Sequence, residues 1–220
     1  MPIENRTTHV RKSKNTESAI ETRIKNRTQL LGNLTEKRPI YDVEEEVRRW
    51  AQLNSTHFVK RYAEGNQPSW TEKKERNNYF GMIGHKCFEI MLQQHQIPYI
   101  HNDPTIDWRQ QMDYDFRVPH VGKIEVKTVD FPKTHVNLIV TCREWHRNDY
   151  CFAMKLVDEP PKKVKFFGYA SREEVEKFHY AENEQPCLKS PCYCELLEKL
   201  HPANEFIRML KTKTAGLWKK

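Results

Sequence analysis

One short stretch of this chain constrains its fold more than any other part of the sequence. In residues 113–129, apolar and polar side chains alternate on both sides of a turn at residues 119–122. Alternation of this kind around a Pro- and Gly-containing turn is typical of a β-hairpin that buries one face in a sheet. The sequence therefore predicts two adjacent antiparallel strands within a larger sheet.

The register of this hairpin decides which side chains share a face. If Asp115 lies opposite Glu125, then Asp113 lies opposite Lys127, and a slip of one residue would reverse every side chain. In this register the apolar residues all point to the other face: Tyr114, Phe116, Val118, Ile124 and Val126. The other register mixes the two sets, so we reject it. Carboxylates beside an ammonium can hold a divalent cation, which indicates phosphodiester chemistry.

Charged residues on a hairpin are also typical of an ordinary solvated face. The neighbouring segments of the sequence are needed to decide against this alternative. Further strands are predicted at residues 136–140, 150–157 and 164–169. Strands as apolar as these are normally covered on both faces. The hairpin is therefore expected at the edge of a sheet flanked by helices.

A helix is predicted at residues 71–96, before the hairpin. Its apolar stripe contains Phe80, Ile83, Gly84, Cys87, Phe88, Met91 and Leu92. Gly81 and Gly84 each cost about 1 kcal/mol of helix stability relative to alanine. We expect glycine to be kept there because the helix backbone packs closely against the sheet. By its helical angle, Glu89 is expected to lie away from the apolar stripe.

The order of these elements resembles the PD-(D/E)xK nuclease superfamily over residues 77–170. The resemblance implies an α/β protein with a restriction-endonuclease-like central mixed β-sheet flanked by helices. Asp115 matches the superfamily aspartate, Glu125 the second acid and Lys127 the motif lysine. Tyr114 stands where the motif name has proline. Many members carry an acid on the preceding helix, where this chain has His85, and the nearest acid is Glu89 one turn later.

This resemblance implies a metal-dependent DNA endonuclease that hydrolyses phosphodiester bonds by in-line attack of a metal-activated water. Asp115 and Glu125, with the carbonyl of Val126, are expected to bind Mg²⁺ or Mn²⁺, because Mg²⁺ needs few protein oxygens and keeps several waters. Lys127 would position the water or stabilise negative charge in the transition state. Asp113 or Glu89 could serve a second metal, and Glu89 is counted among the catalytic candidates.

The charge of the chain agrees with a polyanionic partner, and we expect double-stranded DNA. The chain has 37 basic and 30 acidic residues and a net charge of +7. Residues 1–40 hold nine Lys or Arg and four Glu, so they contribute +5. That arm could grip phosphates or only aid solubility. The residues assigned to DNA contact are Lys123, Lys133, Arg143, Trp145 and Arg147. Trp145 could instead anchor a short helix to the core.

Four segments are predicted along the chain. Residues 1–40 form a basic, largely disordered arm, and residues 41–70 form a helical N-terminal extension expected to pack on the core. Residues 71–170 form the nuclease-like core. Residues 171–220 form a C-terminal helical extension that packs on the core, with a capping box at Ser171 and Glu174 and a helix after Pro202. A homodimer is left open.

Three of the six cysteines, Cys187, Cys192 and Cys194, crowd into eight residues and are the candidates for a second metal or cluster. Their spacing differs from that of the superfamily members that carry an iron–sulfur cluster. We therefore expect neither an iron–sulfur cluster nor a zinc ion. No apolar run is long enough to span a membrane, so we expect a soluble, intracellular protein, cytoplasmic or nucleoid-associated, with no membrane partner.

Two other functions are consistent with the same residues. The chain could be a catalytically inactive module of the nuclease fold that binds nucleic acid or a protein. It could also be a nuclease that acts on RNA. Cleavage and binding measurements on both nucleic acids separate these alternatives.

Overall fold

A computed structural model of the chain describes residues 37–63, 72–102, 114–130, 137–145, 147–181 and 191–217. The predicted basic arm lies almost wholly outside the described residues, as do Asp113, Lys133 and Cys187. The helices are α1 (Glu45–Ala63), α2 (Glu72–Gln94), α3 (Cys142–Trp145), α4 (Arg172–Val175) and α5 (Ala203–Thr214), with a short 3₁₀ helix at Leu197–Lys199. The strands are β1 (Ile40–Asp42), β2 (Ile100–His101), β3 (Phe116–Val118), β4 (Gly122–Val129), β5 (Asn137–Thr141), β6 (Tyr150–Leu156), β7 (Lys163–Ser171), β8 (His179–Ala181), β9 (Cys192–Leu196) and β10 (His201–Pro202).

These strands form two sheets. The larger sheet has seven strands in the order β1-β7-β6-β4-β3-β2, and β10 pairs with β7. It is a mixed sheet, because β4 and β6 are parallel whereas its other pairs are antiparallel. The smaller sheet has the order β5-β9-β8 and is antiparallel. The predicted α/β class, with a mixed sheet flanked by helices, is confirmed.

The large sheet is covered on both faces, as its apolar strands predict. Alternate residues of β6 enter two different cores, because side chains point to opposite faces along a strand. Phe152 and Met154 pack with α1, α2 and α5 in the first core. Cys151 and Ala153 pack with β5, α3 and the 3₁₀ helix in the second.

The hairpin has the predicted register. Phe116 lies opposite Ile124, Arg117 opposite Lys123 and Val118 opposite Gly122, as predicted. The five apolar side chains assigned to one face are all buried. Strand β3 begins only at Phe116, so the predicted pairing of Asp115 with Glu125 is not part of the ladder, and the amide of Asp115 donates to the carbonyl oxygen of Ile124 at 3.2 Å.

Helix α2 packs against β4 through Gly84. A Cβ atom added at Gly84 would lie 1.8 Å from Oγ1 of Thr128, so only glycine allows this approach. The expectation for Gly84 is confirmed. It is wrong for Gly81, where an added Cβ would meet nothing within 4 Å, because that residue lies on the exposed side of the helix.

The flanking segments are less helical than predicted. Strand β1 precedes α1 and pairs with β7, so the N-terminal extension joins the sheet. Val43, Val47 and Trp50 are buried, so the extension packs on the core as expected, whereas Leu53 is 37% exposed. The capping box of Ser171 and Glu174 is present. No helix of the described residues is long and apolar enough to span a membrane.

The segment 171–220 was predicted to be helical, but it also contributes strands β8, β9 and β10. These strands are two to five residues long, and β8 pairs with β9 within the segment. Strand β9 pairs with β5, and β10 pairs with β7. Strands this short have too little alternation to be recognised from sequence.

Candidate functional site

The structure brings Asp115, Glu125 and Lys127 together at one end of the hairpin. Glu125 and Lys127 lie two apart on β4 and share a face, and Lys127 Nζ donates to Glu125 Oε1 at 2.5 Å. Asp115 precedes β3, and its Oδ2 accepts a hydrogen bond from the amide of Val126 at 2.7 Å. The three side chains are only 15–27% exposed but remain accessible from solvent.

A buried thiol lies beside all three charged groups. Cys151 lies opposite Glu125 in the neighbouring strand β6. Burial raises the pKa of Cys151, and the charges of Lys127, Glu125 and Asp115 also act on that pKa. The thiol itself is inert because it is buried and protonated, so it marks the floor of the site.

Asp115 is ionised at neutral pH. Its partial burial raises the pKa of the carboxyl group, but His85, the Val126 amide and the charge of Lys127 together lower that pKa by more than burial raises it. The net pKa lies below its ordinary value, because an opposite charge and a hydrogen bond both favour the carboxylate. The site therefore presents a negatively charged oxygen, Oδ1 of Asp115, that a cation could bind.

His85 is the fourth member of the site. It lies on α2 directly after Gly84, where the helix approaches β4 most closely, and its side chain is buried. Its Nε2 lies 3.6 Å from Asp115 Oδ1 and makes no hydrogen bond within the described part of the chain. The sequence placed His85 at the position of the superfamily's helix acid without indicating a role. The signal that could have found it is its place after the close-packing glycine.

Glu89 is buried, although its helical angle places it away from the apolar stripe, and the sequence did not indicate this burial. It is 7% exposed, and Lys86 Nζ donates to its Oε2 at 2.8 Å. Its Oε1 accepts from the Tyr99 hydroxyl at 3.0 Å and lies 3.7 Å from Nδ1 of His101. Burial raises the pKa of Glu89, but Lys86, His101 and Tyr99 together lower it below its ordinary value. Glu89 is a buried carboxylate held by neighbours on α2 and β2.

Asn148 is a further residue of the site that the sequence did not indicate. It is buried, and its Nδ2 donates to Glu125 Oε2 at 3.5 Å. Its backbone is anchored, because Arg172 Nε donates to the Asn148 carbonyl at 2.7 Å and the Asn148 amide donates to Trp145 at 3.0 Å. Asn148 therefore connects the second core to the carboxylate of Glu125.

The residues assigned to DNA contact are not all at the surface. Trp145 is 2% exposed and packs in the second core, which supports the interpretation that it anchors α3. Arg147 is exposed. The Lys123 ammonium lies 5.5 Å from the ring centre of Tyr114, and its backbone amide donates to Asp149. Lys133 and the side chain of Arg143 lie outside the described residues.

Two of the three clustered cysteines lie close together. The sulfur atoms of Cys192 and Cys194 are 3.6 Å apart on β9. Burial and then the charge of Cys192 raise the pKa of nearby Cys142, a thiol that the sequence did not assign to this cluster. Cys187 lies outside the described residues.

Neither the hairpin residues nor the clustered cysteines are arranged as a complete metal site. Within the described ranges, no group of three or more His, Cys, Asp or Glu side chains is placed to hold a metal ion. At the hairpin, one oxygen of Glu125 is directed to Lys127 and one oxygen of Asp115 to the Val126 amide. A bound cation would therefore have to compete with Lys127 for Glu125.

Comparison of the chain with protein-family models, with curated proteins and with solved structures finds no match. The fold that the structure shows is a mixed α/β fold with a curled mixed sheet flanked by helices.

Proposed function

We propose that this chain is a metal-dependent DNA endonuclease of the PD-(D/E)xK type, with a restriction-endonuclease-like fold. The observation that carries the proposal is the hairpin, in which Asp115, directly before β3, accepts from the Val126 amide beside Glu125 and Lys127 of β4. The helix that precedes the hairpin packs its Gly84 on β4 and brings His85 to Asp115. The helix, hairpin and following strands thus share one site.

The donor atoms of the site fit a divalent cation. Asp115 and Glu125 supply carboxylate oxygens, and the Val126 carbonyl can add a third oxygen, which is a donor set suited to Mg²⁺ or Mn²⁺. The buried Nε2 of His85 faces Asp115 Oδ1 without a hydrogen bond, as a ligand atom would before its metal binds. A bound ion would polarise the scissile phosphate and lower the pKa of its water.

Lys127 and Asn148 act on the charges at this site. Lys127 Nζ lies 2.5 Å from Glu125, so a cation held by that carboxylate would leave the ammonium available to a phosphate oxygen. There it would stabilise the negative charge that develops in the transition state. Asn148 holds the second oxygen of Glu125 and keeps that carboxylate at the site.

The test is cleavage of supercoiled plasmid and linear duplex DNA by the purified chain in Mg²⁺ or Mn²⁺. We expect Asp115→Asn and Lys127→Ala each to lower the rate at least about a hundredfold, the usual cost of removing one group that stabilises a transition state. The matched controls are Asp42→Asn and Lys163→Ala, which change exposed residues of β1 and β7. Equal cleavage by all five proteins would refute the proposal.

The second candidate is a catalytically inactive module that binds DNA or RNA. It is favoured by the Lys127–Glu125 ion pair, which occupies a carboxylate that a metal would need. This candidate predicts DNA binding that persists in EDTA and no cleavage in any divalent metal. The same reactions with single-stranded and duplex RNA test whether RNA is the substrate.

A further inference from the structure

Four ionisable side chains form a continuous row from the interior of α2 to the proposed metal site. Nδ1 of His101 lies 3.7 Å from Glu89 Oε1, and Nε2 of His101 lies 3.2 Å from Nδ1 of His85. Nε2 of His85 then lies 3.6 Å from Asp115 Oδ1. Helix α2 supplies Glu89 and His85 one turn apart, and β2 supplies His101 between them.

The partners of the two rings determine which nitrogen atoms carry hydrogen. The carboxylate of Glu89 favours a proton on Nδ1 of His101, which leaves Nε2 of that ring as an acceptor. A cation bound by Nε2 of His85 would require the proton of that ring on Nδ1, from which it donates to Nε2 of His101. Nε2 of His85 lies 3.6 Å from Asp115 Oδ1, so one cation could contact both atoms.

Packing holds the two rings in these positions. The ring of His101 stacks on Phe116 with an interplanar angle of 5° and a centroid distance of 5.0 Å. The ring of His85 lies 4.6 Å from the same phenyl ring. Glu89 is itself fixed by Lys86 and by the Tyr99 hydroxyl. Neither ring can rotate without losing these contacts.

We propose that His101 and Glu89 are positioning residues that orient His85, so that its Nε2 binds the catalytic cation together with Asp115. In many metal sites, a histidine ligand gives its other N–H to a carboxylate or a carbonyl, and loss of that partner weakens metal binding about 10- to 100-fold. Here His101 lies between the carboxylate of Glu89 and the ring of His85, so Glu89 orients His85 through His101. The proposal rests on the proposed function, because it assigns a metal to that site.

The variants separate hydrogen bonding from packing. His101→Phe keeps a ring against Phe116 but removes both nitrogen atoms. His101→Gln carries an amide that reaches the position of Nε2 and can accept from His85. Glu89→Gln keeps a partner for Tyr99 but removes the charge that fixes the proton on His101. His179→Phe, at an exposed residue of β8, is the matched control.

The measurement is Mn²⁺ affinity of the full chain by calorimetric titration, with kcat and KM for duplex DNA measured at several Mn²⁺ concentrations. We expect His101→Phe to weaken Mn²⁺ binding about 10- to 100-fold. Its kcat should recover at high Mn²⁺, with an unchanged KM for DNA. His101→Gln should recover most of the Mn²⁺ affinity, and Glu89→Gln should lose part of it. These two variants test the inference even if His101→Phe does not fold.

The outcomes distinguish this inference from the proposed function. If wild type binds Mn²⁺ and His85→Ala loses it while His101→Phe and Glu89→Gln bind normally, the positioning role is wrong and the nuclease proposal stands. If His101→Gln binds as weakly as His101→Phe, the ring acts by packing and the inference is overturned. If wild type neither binds Mn²⁺ nor cleaves DNA, both are overturned.

Discussion

The close approach of α2 to β4 predicts a large effect from a very small substitution, Gly84→Ala. The new Cβ would lie 1.8 Å from Thr128 Oγ1 and 3.0 Å from Thr128 Cβ. Threonine is β-branched and stiff at χ1, so the overlap must be relieved by moving the helix away from the strand. Overpacking of this kind typically costs about 1–3 kcal/mol.

Gly81→Ala on the same helix is the matched control. Both substitutions gain about 1 kcal/mol of helix propensity, but a Cβ at Gly81 meets nothing within 4 Å. The propensity gain cancels in the comparison, so Gly84→Ala should be less stable than Gly81→Ala by about 1–3 kcal/mol. Thr128→Ala removes the two side-chain atoms beyond Cβ and should recover most of that difference when combined with Gly84→Ala.

Urea unfolding of the metal-free proteins, followed by circular dichroism, measures these differences as shifts in the transition midpoint at constant m-value. Thr128 Oγ1 is buried and makes no hydrogen bond within the described chain, so Thr128→Ala alone should cost little. If Gly84→Ala is as stable as Gly81→Ala, the helix does not contact the strand at this point, and the placement of His85 beside Asp115 loses its support.

Three further predictions concern the rest of the fold. Trp145→Ala should destabilise the protein by about 3–5 kcal/mol in urea, because the buried indole fills the second core, while Arg147→Ala should not. Burial raises the pKa of Glu174, but its Ser171 and His201 partners lower it to a net value below 4.5. The stability it contributes is present above about pH 4.5 and lost on acidification, so Glu174→Gln should flatten the pH dependence of the urea midpoint below pH 4.5. Burial raises the pKa of Cys87 to about 12, so a thiol reagent should not modify it in the native protein at pH 8, as peptide mapping by mass spectrometry can check.

The hairpin and the packing of Gly84 could be predicted because each depends on local sequence. Alternation over the hairpin leaves only one register that separates charged from apolar side chains, and Phe116 opposite Ile124 confirms it. A helix glycine on the apolar stripe predicts close contact with a neighbour, and Thr128 is that neighbour.

The burial of Glu89 could not be predicted from helical angle alone. Between residues 82 and 92, helix α2 is buried on nearly all sides, because α1, the sheet and β2 surround it. In such a helix a polar side chain does not have to face solvent when its charge is satisfied inside. Lys86, three residues before Glu89, provides that partner. His101 lies in β2 and Tyr99 directly before it, and the sequence did not predict this strand.

The contributions of β1, β9 and β10 depend on partners that are distant in the chain. Strand β10 has two residues, and its pairing with β7 is specified by Gly168, where an added Cβ would lie 1.8 Å from the His201 carbonyl oxygen. Asn148 likewise contacts Glu125 through its side chain, while Arg172, which is 24 residues further along the chain, donates to its backbone carbonyl. Contacts of this kind follow from the tertiary fold and cannot be predicted from a local sequence pattern.

The central claim is that a divalent cation bound at Asp115 drives cleavage of DNA. The most direct measurement is the rate of duplex DNA cleavage as a function of Mg²⁺ concentration, for wild type and Asp115→Asn, with DNA affinity measured in parallel. We predict a rate that rises with Mg²⁺ and saturates for wild type, and one at least about a hundredfold lower for Asp115→Asn at equal DNA affinity. Cleavage that persists in EDTA, or that Asp115→Asn performs as fast as wild type, would contradict the claim.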